Sequence, residues 1–170
     1  MIGWSGSGKT TLITGLMPVF IKRGYSVSSM KHTHHEFDMD KPGKDSYEHR
    51  MAGAKQVLIT GAKRWALLTE NFNSPEPQID DLLSKMDQVD LVLIEGFKAF
   101  SHPKMEIYRS AIGKPLLAKE NPTIAAIATD DPSVSSHLPI IDLNDLNAIA
   151  DFIVNYCNLH RRENNGSVKR

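Results

Sequence analysis

A three-layer α/β fold with a mostly parallel sheet and an added β-hairpin is the class this sequence predicts, on two observations. Short apolar segments of strand length alternate with segments whose apolar residues recur every three or four positions, the patterns of buried strands and amphipathic helices. A glycine-rich segment, Gly3-Trp4-Ser5-Gly6-Ser7-Gly8-Lys9-Thr10, opens the first helix-like stretch, as a strand-to-helix turn does in such a domain.

In order, Leu12, Ile13, Leu16, Val19 and Phe20 give a helix over 9–23 one buried stripe, and Gly24 is its stop signal. Residues 25–30 read as a strand leading into Lys31-His32-Thr33-His34-His35. A loop over 38–44, rich in Asp, Lys, Pro and Gly, precedes a short helix over 45–54. Strands over 56–60 and 65–69, joined by a Gly-Ala-Lys-Arg turn, suggest a hairpin. After a loop over 71–77 comes a short helix over 79–86, and 90–94 (Asp-Leu-Val-Leu-Ile) is an apolar run of the kind buried in a parallel sheet. Strands follow at 105–109, 123–129 and 140–143, and the last helix runs from a capping Asn144 to about 158. Residues 1–159 read as one domain and 160–170 as a polar, disordered tail.

Composition narrows the function classes. The chain has 170 residues, 41% of them hydrophobic, enough to bury roughly 70% of the unfolded surface without disulfides or a structural metal. Its 20 basic and 20 acidic side chains cancel, which argues against a protein that coats nucleic acid, although a local basic pocket is allowed. No apolar run approaches the roughly 20 residues of a membrane helix. The lone cysteine, Cys157, reads as a half-buried structural thiol, and the cytoplasm is the expected address.

Residues 3–10 match G-x-x-x-x-G-K-[ST] in full, the phosphate-binding loop. Its glycines let successive N–H groups turn inward as an anion nest, Lys9 reaches the β- and γ-phosphates, Thr10 offers its hydroxyl to Mg²⁺, and the helix end is positive. Only Met1 and Ile2 precede the motif, where a buried strand runs about five residues, so the domain is expected to extend upstream. The 90–94 strand ends in Glu95-Gly96-Phe97-Lys98. An acidic residue there holds Mg²⁺ in phosphate-loop proteins. Glu95 is one methylene longer than the usual Asp, which implies an indirect or repositioned contact, and the alternative is a solvated carboxylate at a strand end.

The loop over 40–46 combines carboxylates with Gly43 and resembles segments ordered by a γ-phosphate and Mg²⁺. Gly43, Lys44, Asp45 and Ser46 are therefore nucleotide-site candidates. Asp45 is the second metal candidate, with Asp40 behind it, and helix capping is the competing role for Asp45. Asp130, in Ala128-Thr129-Asp130-Asp131, is placed to accept hydrogen bonds from a guanine, while a turn before Pro132 explains the same aspartates. His32, His34 and His35 are read as contacts to phosphate or another ligand group, or as polar packing; zinc is disfavoured because no His or Cys cluster accompanies them.

Taken together, Gly-Trp-Ser-Gly-Ser-Gly-Lys-Thr-Thr at 3–11, Lys-His-Thr-His-His at 31–35, Asp-Lys-Pro-Gly-Lys-Asp-Ser-Tyr-Glu at 40–48, Arg-Trp-Ala-Leu at 64–67 and Ile-Glu-Gly-Phe-Lys at 94–98 resemble the molybdopterin-guanine dinucleotide biosynthesis adaptor proteins, the MobB family. The resemblance spans nearly the whole chain. It implies a phosphate-loop NTPase-like fold and a homodimeric GTP-binding protein with weak GTPase activity. The implied partners are the molybdenum cofactor guanylyltransferase and molybdopterin-carrying proteins, and the implied cofactors GTP and Mg²⁺. Family members have a full first strand before the loop.

The nucleotide contacts expected on this basis are Gly3, Ser5, Gly6, Ser7, Gly8, Lys9, Thr10 and Thr11, the 43–46 segment and Asp130. Lys9 and Glu95 are the catalytic candidates, and Thr10, Asp45 and Glu95 the metal ligands. No water-positioning glutamine or arginine finger stands out, so slow turnover is expected. A small-molecule kinase is the alternative, but Arg50, Arg64 and Arg109 are scattered. A partition-type ATPase would carry a lysine at position 4, which is Trp here. The strands over 56–60, 65–69 and 105–109 are the candidates for pairing between chains.

Overall fold

The computed structural model describes residues 1–33 and 37–160; His34, His35 and the 161–170 part of the expected tail lie outside them. In chain order the elements are α1 (Lys9–Lys22), β1 (Val27–Lys31), α2 (Asp45–Met51), β2 (Gln56–Gly61), β3 (Arg64–Thr69), α3 (Ile79–Leu83), β4 (Leu91–Glu95), β5 (Lys104–Tyr108), β6 (Ile124–Thr129), β7 (Ile140–Asp142) and α4 (Leu146–Tyr156). They fall into two compact units, one formed by Met1–His32 with the chain from Gln88 onward and the other by Thr33–Asp87.

The first unit holds the parallel sheet. β1 runs parallel to β4, with Val27 opposite Leu91 and Lys31 opposite Glu95. β5, β6 and β7 are parallel to one another. Residues 1 and 2 sit between the two groups: the Met1 nitrogen donates to Ile94 O (2.7 Å), and Ile2 pairs with Glu106. The apolar stripe of α1 buries Leu12, Ile13, Leu16 and Phe20 against Met105 and Ile107 of β5, Ala126 and Ala128 of β6, and Ile149, Ala150 and Ile153 of α4. Side chains alternate across a strand, so Glu106 faces the opposite side of β5 from Met105 and Ile107. Ile149→Val, one methylene removed from a fully buried position, is expected to lower stability by about 0.5–1.5 kcal/mol in a denaturant titration.

Element ends differ from the expected ones for local reasons. β1 starts later because Gly24 and Tyr25 complete the end of α1, donating to Ile21 O (2.9 Å) and Phe20 O (3.0 Å) in a Schellman motif. α4 is capped by Asp145, not Asn144. The Asp145 carboxylate accepts from the Asn147 and Ala148 N–H groups, while the Asn144 N–H is taken by Asp142 Oδ1 (2.8 Å). α3 stops early where the Ser84 hydroxyl bonds to the Asp81 carbonyl (2.7 Å), a local bond that competes with helix continuation. Cys157 is exposed, not half-buried, because it lies at the C-cap of α4 beyond the buried stripe. Among the described residues no helix is long and apolar enough to cross a membrane.

The second unit contains the expected hairpin, β2 antiparallel to β3 with Gln56 opposite Thr69 and Gly61 opposite Arg64. Its buried apolar side chains are Val57 and Ile79, so charge pairing carries part of its order. The Arg50 guanidinium reaches Asp40 (2.7 Å), Glu70 (2.8 Å) and Asp38 (2.9 Å). This bonding holds the Asp40 carboxyl below the usual carboxylate range. A group whose folded pKa is lowered contributes stability above its unfolded pKa, about 3.9 for Asp, and loses it as pH falls through the folded value. Acid titration followed by near-UV circular dichroism should therefore show the hairpin tryptophan, Trp65, losing its signal at a higher pH in Asp40→Asn than in the wild type.

Candidate functional site

The phosphate loop crosses from Ile2 to the start of α1 within the first unit. A side chain at Gly3 would put its Cβ 2.5 Å from the Ile107 carbonyl and 2.6 Å from Ser7 Oγ, so the chain can pass this close to β5 only as glycine. The Ser7 N–H donates to Trp4 O (3.2 Å), closing a turn within the loop, and the Leu12 N–H takes up Gly8 O (2.9 Å) as α1 begins. Gly8 is the left-handed N-cap of α1, with φ 91° and no side-chain cap. That leaves the first amides of the helix directed at the loop mouth. Ser5, Gly6 and Thr11 lie on the same loop and first turn; Ser5 and Thr11 are exposed and Ser7 is buried.

Lys9 turns back over this loop. Its Nζ donates to Gly3 O (3.1 Å) and Trp4 O (2.9 Å), and burial lowers its pKa against the opposing pull of Glu95. Thr10 meets the end of β4: its hydroxyl donates to Glu95 Oε2 (2.9 Å) and Oε1 (3.1 Å). Lys31 Nζ lies 3.7 Å from the same carboxylate. The structure thus brings together Lys9, Thr10 and Glu95, three residues expected to act on one phosphate group. Glu95 is a partnered carboxylate, 13% exposed, not a freely solvated strand end.

Phe97 fixes this end of β4. It is buried with φ 55°, a conformation that costs a non-glycine residue about 1 kcal/mol or more. Its ring stacks on His32 at 4.4 Å and meets Phe100 edge-on at 5.0 Å. This stack on Phe97 is the ring contact His32 makes. Among the described residues no three His, Cys, Asp or Glu side chains converge as a metal site.

Asp130 and Asp131 differ in their partners. Asp131 makes the turn, accepting from the Ser133 N–H (2.9 Å) and hydroxyl (2.6 Å). Asp130 is ion-paired with Arg109, whose guanidinium lies 3.6–3.7 Å from the place a Cβ would take at Gly8. Asp130 is therefore joined to the start of α1 through an arginine. The remaining candidates belong to the second unit. Asp45 is the first residue of α2, an acidic residue in its first turn, after the N-cap Lys44, whose side chain makes no cap bond. The Gly43 N–H donates to Glu48 Oε1 (3.4 Å), and Ser46 is in the first turn of α2. Asp40 is engaged by Arg50.

Two features escaped the sequence reading. The Trp4 indole N–H donates to Pro115 O (2.8 Å), and the ammonium groups of Lys98 and Lys114 lie over its ring at 5.0 and 5.7 Å from the centroid. The buried Glu106 carboxylate accepts from the N–H groups of Leu117 (2.7 Å) and Ala118 (2.8 Å). A carboxylate inside an otherwise apolar strand was the one signal available for Glu106.

Residues 1–130 match the family model described as "MobB: Molybdopterin guanine dinucleotide synthesis protein B". The chain belongs to the MobB family. It is 42% identical to the molybdopterin-guanine dinucleotide biosynthesis adapter protein of Escherichia coli (strain K12) over 90% of this chain and 89% of that one. The corresponding adapter protein of Haemophilus influenzae is 41% identical over 91% and 85%. A crystal structure described as molybdopterin-guanine biosynthesis protein B (mobB) superposes with a TM-score of 0.70 at 25% identity, covering 91% of this chain and 96% of that one. The expected fold class therefore stands, and the phosphate loop just described lies inside the segment that matches the MobB model.

Proposed function

We propose that this chain is a cytoplasmic GTP-binding adaptor with weak intrinsic GTPase activity. It would assist the guanylyltransferase that completes molybdopterin guanine dinucleotide and work beside molybdopterin-carrying proteins. The observation that carries the reading is the meeting of the phosphate loop, Lys9, Thr10 and Glu95 at the joined ends of α1 and β4. The pathway comes from the names of the adapter relatives.

The loop amides and the start of α1 hold the phosphates, and Lys9 exchanges its two backbone carbonyl partners for phosphate oxygens. Thr10 Oγ1 and a Glu95 oxygen are hard donors of the kind Mg²⁺ takes; bound there, the ion would neutralise charge on the phosphate oxygens. Asp130, oriented by Arg109, is proposed to accept from the guanine edge. Gly43, Lys44, Asp45 and Ser46 are proposed as a segment ordered by nucleotide, with Asp45 as a further metal ligand.

Titration with a fluorescent GTP analogue tests this reading. The wild type should bind more tightly with Mg²⁺ than in EDTA, Glu95→Gln should lose that difference and keep the EDTA affinity, and a wild type indifferent to Mg²⁺ would contradict the metal assignment. Turnover is expected at about 10⁻⁴–10⁻² per second, as for phosphate-loop GTPases acting alone; tens per second without a partner would defeat it.

A homodimer is also proposed. Leu58, Trp65 and Leu67 share one face of the hairpin by their register and are 61%, 67% and 46% exposed, an apolar face suited to a second copy. Sedimentation of the wild type as a dimer that Leu67→Glu dissociates is the expected result; a wild-type monomer at all concentrations contradicts it.

A further inference from the structure

We propose that Lys98 and Lys114, both held against the Trp4 ring, form a second anion subsite beside the phosphate loop that takes a terminal phosphate group. The proposal rests in part on the nucleotide-binding reading above, since that places one possible phosphate source next to it.

Two ammonium groups lie 5.0 and 5.7 Å from the centre of one indole ring, so two positive charges share one anchor at the edge of the loop. Neither forms an ion pair with a described carboxylate. Lys98 is near enough to Lys9 to depress its basicity, against the opposing pull of Glu95, and it also acts on the buried Glu106, so the positive charge gathered here has carboxylates nearby but no ion pair to Lys98 or Lys114. In a chain of zero net charge, such a concentration is a local design and not a general excess.

The platform is also fixed. The Trp4 indole is tied to Pro115 O (2.8 Å), and the segment that follows Pro115 is anchored by the buried Glu106 carboxylate through the Leu117 and Ala118 N–H groups. The Lys98 carbonyl accepts from Asn121 Nδ2 (3.4 Å). Trp4 is itself a residue of the phosphate loop, so whatever the two lysines bind lies at the edge of the triphosphate site. Two compact, strongly hydrated point charges match a dianionic terminal phosphate better than a single carboxylate. That phosphate is either the anhydride-linked γ-phosphate of the loop's own nucleotide or the monoester of a separate ligand.

The test compares the Lys98→Ala/Lys114→Ala double variant with wild type in a Trp65→Phe background, where Trp4 is the only tryptophan, thermal melts first showing that both are folded. The probes are GTP, GDP and inorganic phosphate, read by calorimetry and Trp4 fluorescence. If the γ-phosphate occupies the subsite, the double variant loses roughly tenfold or more in GTP affinity and keeps its GDP affinity. If a separate monoester does, GTP and GDP are unchanged, and inorganic phosphate shifts Trp4 emission in wild type with GDP bound but not in the double variant. Lys98→Arg/Lys114→Arg should restore either response. Failure of wild type to bind any nucleotide would refute the GTP reading alone, because phosphate titration of the nucleotide-free protein still reports on the subsite. Equal behaviour of wild type and double variant with all three probes overturns the proposal.

Discussion

Lys9→Ala is expected to lower GTP affinity by roughly 30-fold to several thousandfold, the equivalent of about 2–5 kcal/mol for removing one partner of a hydrogen-bonded charge pair. The fold should survive. Lys9 makes its two bonds to carbonyls of its own loop, Gly3 O and Trp4 O, and takes no part in the core beneath α1. An unchanged thermal midpoint with nucleotide binding lost would separate a ligand-binding lysine from a structural one. Retained affinity would refute the assignment of the loop.

Glu106→Ala acts on the other side of the sheet. Glu106 is fully buried and satisfies two backbone N–H groups, those of Leu117 and Ala118. A fully buried donor left without a partner costs about 1–3 kcal/mol; these two are in part-buried bonds, so the variant should lose up to roughly 2–6 kcal/mol in a denaturant titration. Glu106→Gln, which keeps one acceptor oxygen, should fall between. The segment released carries Pro115, the acceptor for the Trp4 indole, and Trp4 emission should shift to longer wavelength in Glu106→Ala. Full stability in that variant would show that the two amides find other partners.

What could be read in advance was local. The loop at 3–10, the stripe of α1, its glycine stop and the two-residue hairpin are each set by neighbours a few positions apart, where periodicity and turn chemistry act. What escaped depends on which of several equivalent side chains takes a given partner. Asn144 and Asp145 are both good helix caps, and Asp145 takes the Asn147 and Ala148 N–H groups while the Asn144 side-chain amide donates to Asp142 Oδ1 (3.2 Å). Asp130 and Asp131 are alike in sequence, yet one makes a turn with Ser133 and the other pairs with Arg109. Trp4 is fixed by a carbonyl 111 positions away, and no pattern around it announces Lys98 or Lys114.

The joined ends of α1 and β4 are expected to bind guanosine triphosphate. Calorimetric titration of the wild type with GTP and with ATP, each with Mg²⁺, tests it most directly. Saturable binding of about one GTP per chain is expected. ATP should be weaker by roughly 5- to 150-fold, the 1–3 kcal/mol of a paired base contact. Absence of heat with GTP, or ATP bound as tightly as GTP, would contradict it.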